Sequence, residues 1–313
     1  MKLHQIRDVL AVARSGSLRA AARSLSLAQP TLSKTIASLE DELGLELFER
    51  RARGMVPTAA GEAFLARAEV AWHELERARG DALQVASRSA GSIAVGIGAA
   101  PSLIGLARAM RTFRRDNPGV WVRIVNGNFP TVLPELRSGA LDFSIGPRPG
   151  IDLGDEFVVE TLLPGRAAVV ARRGHPLAGA RSLAELLEMD WILTSGTGMA
   201  RAEFERFFTA HGLRPPRPAV DCEYVTALLA LLAGSDMLAL LPRPWVESDV
   251  TRDLLVSIEV REPLVSADVC VVRRSRPPLT HAARGMLTLL RRECEHDERR
   301  RQPGRGAARS AQG

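Results

Sequence analysis

The chain has 313 residues, 46% hydrophobic and 25% charged, a composition that fits a globular protein of two or three domains and excludes a disordered or collagen-like one. Its longest apolar run, Val225–Ala233, is about half of what a bilayer-spanning helix needs, and Cys222, Cys270 and Cys294 are too few and too scattered for a disulfide framework or a zinc site. Net charge is +6, and only Lys2 and Lys34 of the 42 basic residues are lysines; where the charge sits says more than its size, because basicity alone rarely names an anionic partner.

The opening Met1-Lys2-Leu3-His4-Gln5 goes straight into a polar/apolar pattern, so no secretory signal is expected. A reduced, cytoplasmic setting follows from the cysteine usage. Leu3, Ile6, Leu10 and Ala13 recur at helical spacing, and the helix they predict ends at Ser15-Gly16. Ser17 is a good N-cap for a second helix with Leu18, Ala21, Ala22 and Leu25 inward. After the turn Ser26-Leu27-Ala28, a third helix carries Leu32, Ile36, Leu39 and Leu43 on one face and stops at Gly44. Pro30 is tolerated only in a first turn, so that helix starts at Ala28 or Gln29.

Two helices joined by a tight turn, the second polar outward, make a helix-turn-helix. At about 100° per residue, Lys34 lies opposite the apolar stripe. Thr31, Ser33 and Ser38 flank it, with Gln29 and Pro30 at the N-terminal end. Short polar residues let a helix approach a duplex and bond base edges or phosphates. On these residues alone an ordinary solvated helix face accounts for the pattern equally well. Residues 46–58 add a predicted hairpin bearing Arg50, Arg51 and Arg53. A winged helix-turn-helix lays such a hairpin on the DNA backbone or in the minor groove, where arginine suits the concentrated negative potential.

The strings Gly16-Ser17-Leu18-Arg19-Ala20-Ala21-Ala22, Leu25-x-Leu27-Ala28-Gln29-Pro30-Thr31-Leu32-Ser33-Lys34-x-Ile36-x-x-Leu39-Glu40-x-Glu42-Leu43-Gly44, Leu47-Phe48-Glu49-Arg50 and Thr58-x-x-Gly61-Glu62 resemble the LysR-type transcriptional regulators. The resemblance implies double-stranded operator DNA as a partner. It assigns the contacts to Ser17, Arg19, Gln29, Pro30, Thr31, Ser33, Lys34, Arg50 and Arg53. One departure is Ala28, where the family usually has serine at the recognition-helix N-cap. Losing that cap costs about 1 kcal/mol and a phosphate contact.

From Thr58 to about Val85, Phe64, Ala68, Ala71, Leu75, Ala78, Ala82 and Val85 follow a heptad seam. A helix of about 28 residues, roughly 40 Å long, fits dimerisation better than a compact domain. The resemblance makes it the linker helix of a homodimer or homotetramer. Beyond a polar break at Ser87–Ser92, strands and helices alternate, which predicts an α/β architecture. Strands are expected at Ile93–Ile97, Val120–Val125, Leu141–Ile145, Ala167–Ala171, Trp191–Leu193, Ala219–Glu223, Met237–Leu241 and Val269–Arg273. Helices are expected at Leu103–Arg115, Val132–Arg137 and Met199–Ala210. Turns at Pro164-Gly165 and Pro263 suggest two crossovers between two lobes. The resemblance agrees, since effector domains of these regulators look like type 2 periplasmic binding proteins.

No catalytic constellation emerges. Gly96-x-Gly98-x-x-Pro101 lacks the third glycine of a dinucleotide loop, and Asn126 stands where the second strand should end in an acid. There is no Gly-x-Ser-x-Gly elbow and no lysine after residue 34 for a phosphate loop. The six histidines are isolated. No enzyme activity, metal or cofactor is therefore expected, and a solute-binding protein or an enzyme on the same two-lobed fold is the alternative reading. Strand ends offer binding chemistry instead: Ala99-Ala100-Pro101-Ser102, Asn126–Thr131 and Ser195-Gly196-Thr197-Gly198 each open a helix, whose free N–H groups suit an anion. In LysR-type regulators these loops surround a small-molecule inducer. Asn128-Phe129-Pro130-Thr131-Val132 and Cys222-Glu223-Tyr224 look like the branch regulating sugar-uptake and aromatic-sulfonate genes. The expected effector contacts are Ala100, Ser102, Asn128, Phe129, Thr131, Ser195, Thr197, Glu223 and Tyr224, for an organic acid, sulfonate or sugar. The expected organisation is α/β multidomain: a winged helix-turn-helix at 1–58, a linker helix at 59–88, a two-lobed effector domain at 89–295 and a disordered basic tail at 296–313.

Overall fold

The computed structural model describes residues 1–51, 54–85, 91–194 and 198–301, which group into two units. The first holds residues 1–94 with 119–122 and 133–142; the second holds 95–118, 123–132 and the residues from 143 on.

In the first unit, α1 (Leu3–Ser15) stops where Gly16 turns left-handed at φ 63°, as a C′ glycine does. Ser17 then caps α2 (Leu18–Ser24), its Oγ accepting from the Ala20 N–H at 3.4 Å. α3 (Gln29–Leu43) begins with Pro30 in its first turn and ends at Gly44, again left-handed. Its cap position, Ala28, makes no side-chain hydrogen bond. The apolar stripe of each helix meets in one core containing Val9, Leu10, Ala21, Leu32, Ile36 and Leu39. β1 (Phe48–Arg51) and β2 (Gly54–Pro57) form the hairpin, Phe48 opposite Pro57 and Arg51 opposite Gly54.

Thr58 launches the long helix α4 (Ala59–Val85): its Oγ1 accepts from the Gly61 N–H at 2.9 Å and donates to the Glu46 carbonyl at 2.7 Å. Leu65 and Ala68 belong to the winged-domain core, so residue 58 is no packing boundary. Past that point the seam residues Ala71, Leu75, Ala78 and Ala82 are exposed, while Arg77 turns the other way. Its Nε donates to Asp142 Oδ1 at 3.1 Å and its Nη2 to the Leu141 carbonyl at 3.1 Å. Val85 has its side chain outside the described residues.

The rest of the chain forms two five-stranded mixed sheets. The first has the order β4-β3-β5-β12-β6, from β3 (Gly91–Ile97), β4 (Val120–Asn126), β5 (Phe143–Pro147), β6 (Phe157–Leu163) and β12 (Val269–Arg274). The second has the order β11-β7-β10-β8-β9, from β7 (Ala167–Arg172), β8 (Trp191–Leu193), β9 (Val220–Asp221), β10 (Leu238–Pro242) and β11 (Leu255–Ile258). Between strands lie α5 (Ala99–Asp116), α6 (Leu133–Ser138), α7 (Gly198–Thr209), α8 (Val225–Gly234) and α9 (Pro244–Glu247), with α10 (His281–Arg301) last. Both sheets lie in the second unit except for the first residues of β3 and β4, and α6 belongs to the first unit. The chain leaves the first sheet after β6 and returns before β12, and these two crossovers run side by side. The Gly165 N–H donates to Asp268 Oδ1 at 3.0 Å and the Ala167 N–H to the Leu264 carbonyl at 3.1 Å.

Two strands were not expected. β6 and β11 are edge strands, half-solvated along most of their length, so neither shows the apolar run or clean alternation that marks a central strand. The C-terminal boundary also moves. The tail was expected to be disordered from residue 296, but α10 continues to Arg301. The stretch 302–313 lies outside the described residues.

Candidate nucleic-acid interface and ligand cavity

Burial of Leu32, Ile36 and Leu39 turns the opposite face of α3 outward. Gln29, Pro30, Thr31 and Lys34 are exposed and Ser33 is half-buried, so the structure brings these five expected residues together at one helix end and face. Arg19 on α2 and Arg50 on β1 are exposed as well, and Ser17 is half-buried at the α2 cap. Arg53 lies outside the described residues. The hairpin is tied to α3 by Glu40, whose Oε1 accepts from the Leu47 N–H at 2.7 Å and the Phe48 N–H at 3.1 Å. The Met55 N–H donates to the Gly16 carbonyl at 2.8 Å. Thus the wing is anchored at both its base and its second strand. Neighbouring arginines on it differ: Arg51 is bonded by Glu49 at 3.0 Å, while Arg50 has no acidic partner among the described residues.

A cavity of about 480 Å³ lies within the second unit, lined from both sheets. From the first sheet come the start of α5 (Ala99, Ala100 and Pro101), the loop after β4 (Asn126, Asn128, Phe129 and Thr131), and the end of β5 with Arg148. Facing them are the strand ends Thr194, Cys222 and Glu223, the ring of Phe204 on α7, and Arg243 and Trp245 around the start of α9. Phe204 is fixed from behind by Trp191, edge to face at 5.7 Å between centroids. The cavity therefore combines apolar walls with many polar and charged side chains, a make-up that suits a polar small molecule.

Of the expected effector residues, Ala100, Asn128, Phe129, Thr131 and Glu223 line this cavity. Ser102 and Tyr224 do not. The Ser102 hydroxyl turns back to donate to the Gly98 carbonyl at 2.7 Å, one helical turn behind it, and Tyr224 is 76% exposed. Ser195 and Thr197 lie outside the described residues. Sequence reasoning missed the cavity's arginines and its C-terminal wall. Arg148, Arg166 and Arg243 stand in Pro147-Arg148-Pro149, Pro164-Gly165-Arg166 and Pro242-Arg243-Pro244, directly after strands. That recurrence of arginine one or two residues after a proline at or just past a strand's end was the available signal. Asp297 and Glu298 of α10 also line the cavity.

Arg243 bonds Glu259 Oε2 at 2.7 Å. That guanidinium, with the Ser257 hydroxyl, holds the Glu259 carboxyl below its ordinary value against partial burial. Buried His175 is satisfied: its Nδ1 accepts from the Leu177 N–H at 3.0 Å, leaving Nε2 to donate to the Asp236 carbonyl at 3.1 Å. Among the described residues no group of three or more His, Cys, Asp or Glu is placed to hold a metal ion. No described helix is long and apolar enough to cross a membrane.

Comparison with known proteins matches residues 3–62 to the bacterial regulatory helix-turn-helix protein, lysR family, and residues 86–295 to the LysR substrate binding domain. The HTH-type transcriptional regulator GbpR of Azospirillum brasilense is 28% identical over 78% of this chain and 72% of its own. The HTH-type transcriptional regulator PcaQ of Agrobacterium fabrum is 29% identical over 88% of this chain and 89% of its own. The crystal structure of CbnR, a LysR family transcriptional regulator, shares the fold at a TM-score of 0.67, with 22% identity, 94% of this chain and 99% of that one covered. Full-length CbnR complexed with its target DNA aligns at a TM-score of 0.52, with 23% identity over 94% of this chain and all of that one.

Proposed function

Because the chain belongs to the LysR family of transcriptional regulators, it binds DNA and a small molecule and is not an enzyme, and we propose how it does so. Gln29, Thr31, Ser33 and Lys34 read the major groove, while Ser17, Arg50 and Arg53 hold phosphates or the minor groove, and Pro30 and Arg19 belong to the same DNA-binding face. The small molecule, an organic acid, sulfonate or sugar, occupies the cavity between the two sheets, with Ala100, Asn128, Phe129, Thr131 and Glu223 around it. Residues 1–58 act as the DNA-binding part, the helix that follows as the dimerisation arm, and two dimers pair into a tetramer in the cytoplasm.

The observation that carries this reading is the pairing, in one chain, of an exposed polar recognition-helix face beside a wing arginine with no acidic partner among the described residues, and a partly open cavity lined from both sheets. The effector need not create affinity for DNA. It has to bind one arrangement of the oligomer better than another, and each factor of ten in that preference is about 1.4 kcal/mol. Lobe closure around the ligand then changes the spacing of the DNA-binding pairs and the bend they impose.

Fluorescence anisotropy against the DNA just upstream of the protein's own gene, at two salt concentrations and with competitor DNA, tests this. Tight, competitor-resistant binding is expected. Weak binding that salt and competitor abolish alike would leave only non-specific basicity and defeat the proposal.

A further inference from the structure

Arg166 sits where the chain passes from the first sheet to the second, immediately before β7. Its backbone is pinned there. The Arg166 carbonyl accepts from the Arg243 N–H at 2.9 Å, and the Ala167 N–H donates to the Leu264 carbonyl at 3.1 Å. Gly165 donates its N–H to Asp268 Oδ1 at 3.0 Å. It also has no room for a side chain, since a Cβ there would lie 1.9 Å from the Ser266 carbonyl oxygen. Main-chain bonds therefore fix the point from which the Arg166 side chain reaches the cavity wall.

The three guanidiniums of that wall differ in what they already hold. Arg148 stands 3.8 Å from Asp268, and its Nη2 donates to the Thr161 hydroxyl. Arg243 faces Glu259 at 2.7 Å and Glu247 at 3.8 Å. Arg166 has no acidic partner among the described residues. The wall's carboxylates sort in the same way. Glu247 is beside Arg243, and Asp297 and Glu298 are engaged by other groups. Glu203 on α7 and Glu223 after β9 have no partner among the described residues, and neither is ion-paired to Arg166. With the internal pairs set aside, one guanidinium and two carboxylates are left for an incoming molecule. A guanidinium free of acids takes a carboxylate on two parallel N–H bonds. An ionised carboxylate only accepts, so it needs a donor. Asn126, Asn128, Thr131 and Thr194 add amides and hydroxyls to the same wall, a neutral lining that suits hydroxyl groups.

Resting on the reading of this cavity as the effector site, we propose that the effector is a hydroxylated organic acid, its carboxylate held by Arg166 and its hydroxyls donating to Glu203 and Glu223. A sugar without a carboxylate would leave the guanidinium desolvated and unpaired, and an acid without hydroxyls would do the same to the two glutamates. Arg166 thus selects the acid over its neutral twin, and the glutamates select the hydroxylated acid over the bare one.

Calorimetric and thermal-shift titrations of the full chain with matched probes test this: gluconate against glucose, 4-hydroxybenzoate against 4-hydroxybenzamide and benzoate, and malate against succinate and aspartate. A hydroxylated acid is expected to raise the melting temperature more than its partners do. In Arg166→Gln the dissociation constant for that acid should rise about tenfold or more, the scale of a lost charge-assisted contact. Arg166→Lys, which keeps the charge without the two-pronged geometry, should fall between. Glu223→Gln should weaken the hydroxylated acid and leave the bare acid as it was. Arg166 is exposed, so the unliganded melting temperature should not move; if Arg166→Gln melts early, Arg166→Lys serves the same comparison. A neutral twin, bare acid or amine that binds as well, an Arg166→Gln variant that binds the acid undiminished, or a panel in which no acid binds would each overturn the proposal. Thr131→Trp, a bulky side chain set in the cavity wall, separates the two levels. An acid blocked by it yet indifferent to Arg166→Gln defeats the role of Arg166 alone, whereas an acid that binds Thr131→Trp undiminished takes the cavity reading down as well.

Discussion

Gly61 stands where the chain has no room for a side chain: a Cβ there would lie 2.0 Å from the Leu47 carbonyl oxygen. That oxygen cannot retreat freely, because it accepts from the Thr58 N–H at 3.0 Å. Gly61→Ala should therefore destabilise the winged domain by roughly 1–3 kcal/mol, the usual cost of overpacking. It should appear as a lower urea midpoint at unchanged slope. The motif Thr58-x-x-Gly61 was visible in the sequence, but the backbone approach that demands glycine was not. The wing offers a second contrast. Arg51 is engaged by Glu49 while Arg50 is not, so Arg50→Ala should lower the salt dependence of DNA binding by about one phosphate's worth. Arg51→Ala should lower it less; equal slopes for both would remove Arg50 from the interface. In the cavity, Ala100, Asn128, Phe129, Thr131 and Glu223 were legible because they sit where strands end and helices start. Ser102 was not, because a turn signal locates a residue without saying where its hydroxyl goes, and this one bonds back to Gly98.

At the scale of elements, the sequence was clearest where one apolar face is buried. α1, α3 and the central strands announce themselves by period, whereas β6 and β11 lie at sheet edges and do not. The return crossover shows what holds such weakly marked segments. Glu262 accepts from the Ser182 hydroxyl at 2.7 Å and the Leu183 N–H at 3.1 Å. Burial pushes its carboxyl upward, but the hydrogen bonds from Ser182 and the backbone outweigh it, leaving the group below its ordinary value of 4.5. A carboxyl lowered in the folded state adds stability that is present above pH 4.5 and is lost as pH falls through the folded value. Urea midpoints from about pH 6 to about pH 3 should fall in the native chain. Glu262→Gln should begin lower and fall less steeply; an equally steep fall would show that other carboxylates govern the acid limb. α10 was misjudged for a compositional reason. Its charged end, Glu293 to Arg301, reads as a solvated tail, yet packing of Gly105 and Ile104 against Glu293 and Cys294 holds its line.

For the whole molecule the question is how two copies of the chain come to present two DNA-reading faces together. Phe64, Leu65 and Ala68 of α4 pack in the winged domain, but the seam continues past them as Ala71, Leu75, Ala78 and Ala82, all exposed, with Leu75 at 49%. Heptad spacing on a face left open within the chain is the pattern of a helix that pairs with a copy of itself. Single half-site contact gives modest affinity. Joining two readers makes the second contact intramolecular and can raise apparent affinity by about 10²–10⁴ without any new bond. Leu75→Asp places a charge in the middle of the seam and leaves the winged core untouched. It should shift the protein toward monomer in sedimentation equilibrium and weaken operator binding by a large part of that factor. Its affinity for an isolated half-site should hardly change. Weak operator binding by a variant that still sediments as the native oligomer would separate the seam from assembly, and the pairing surface would then have to lie elsewhere.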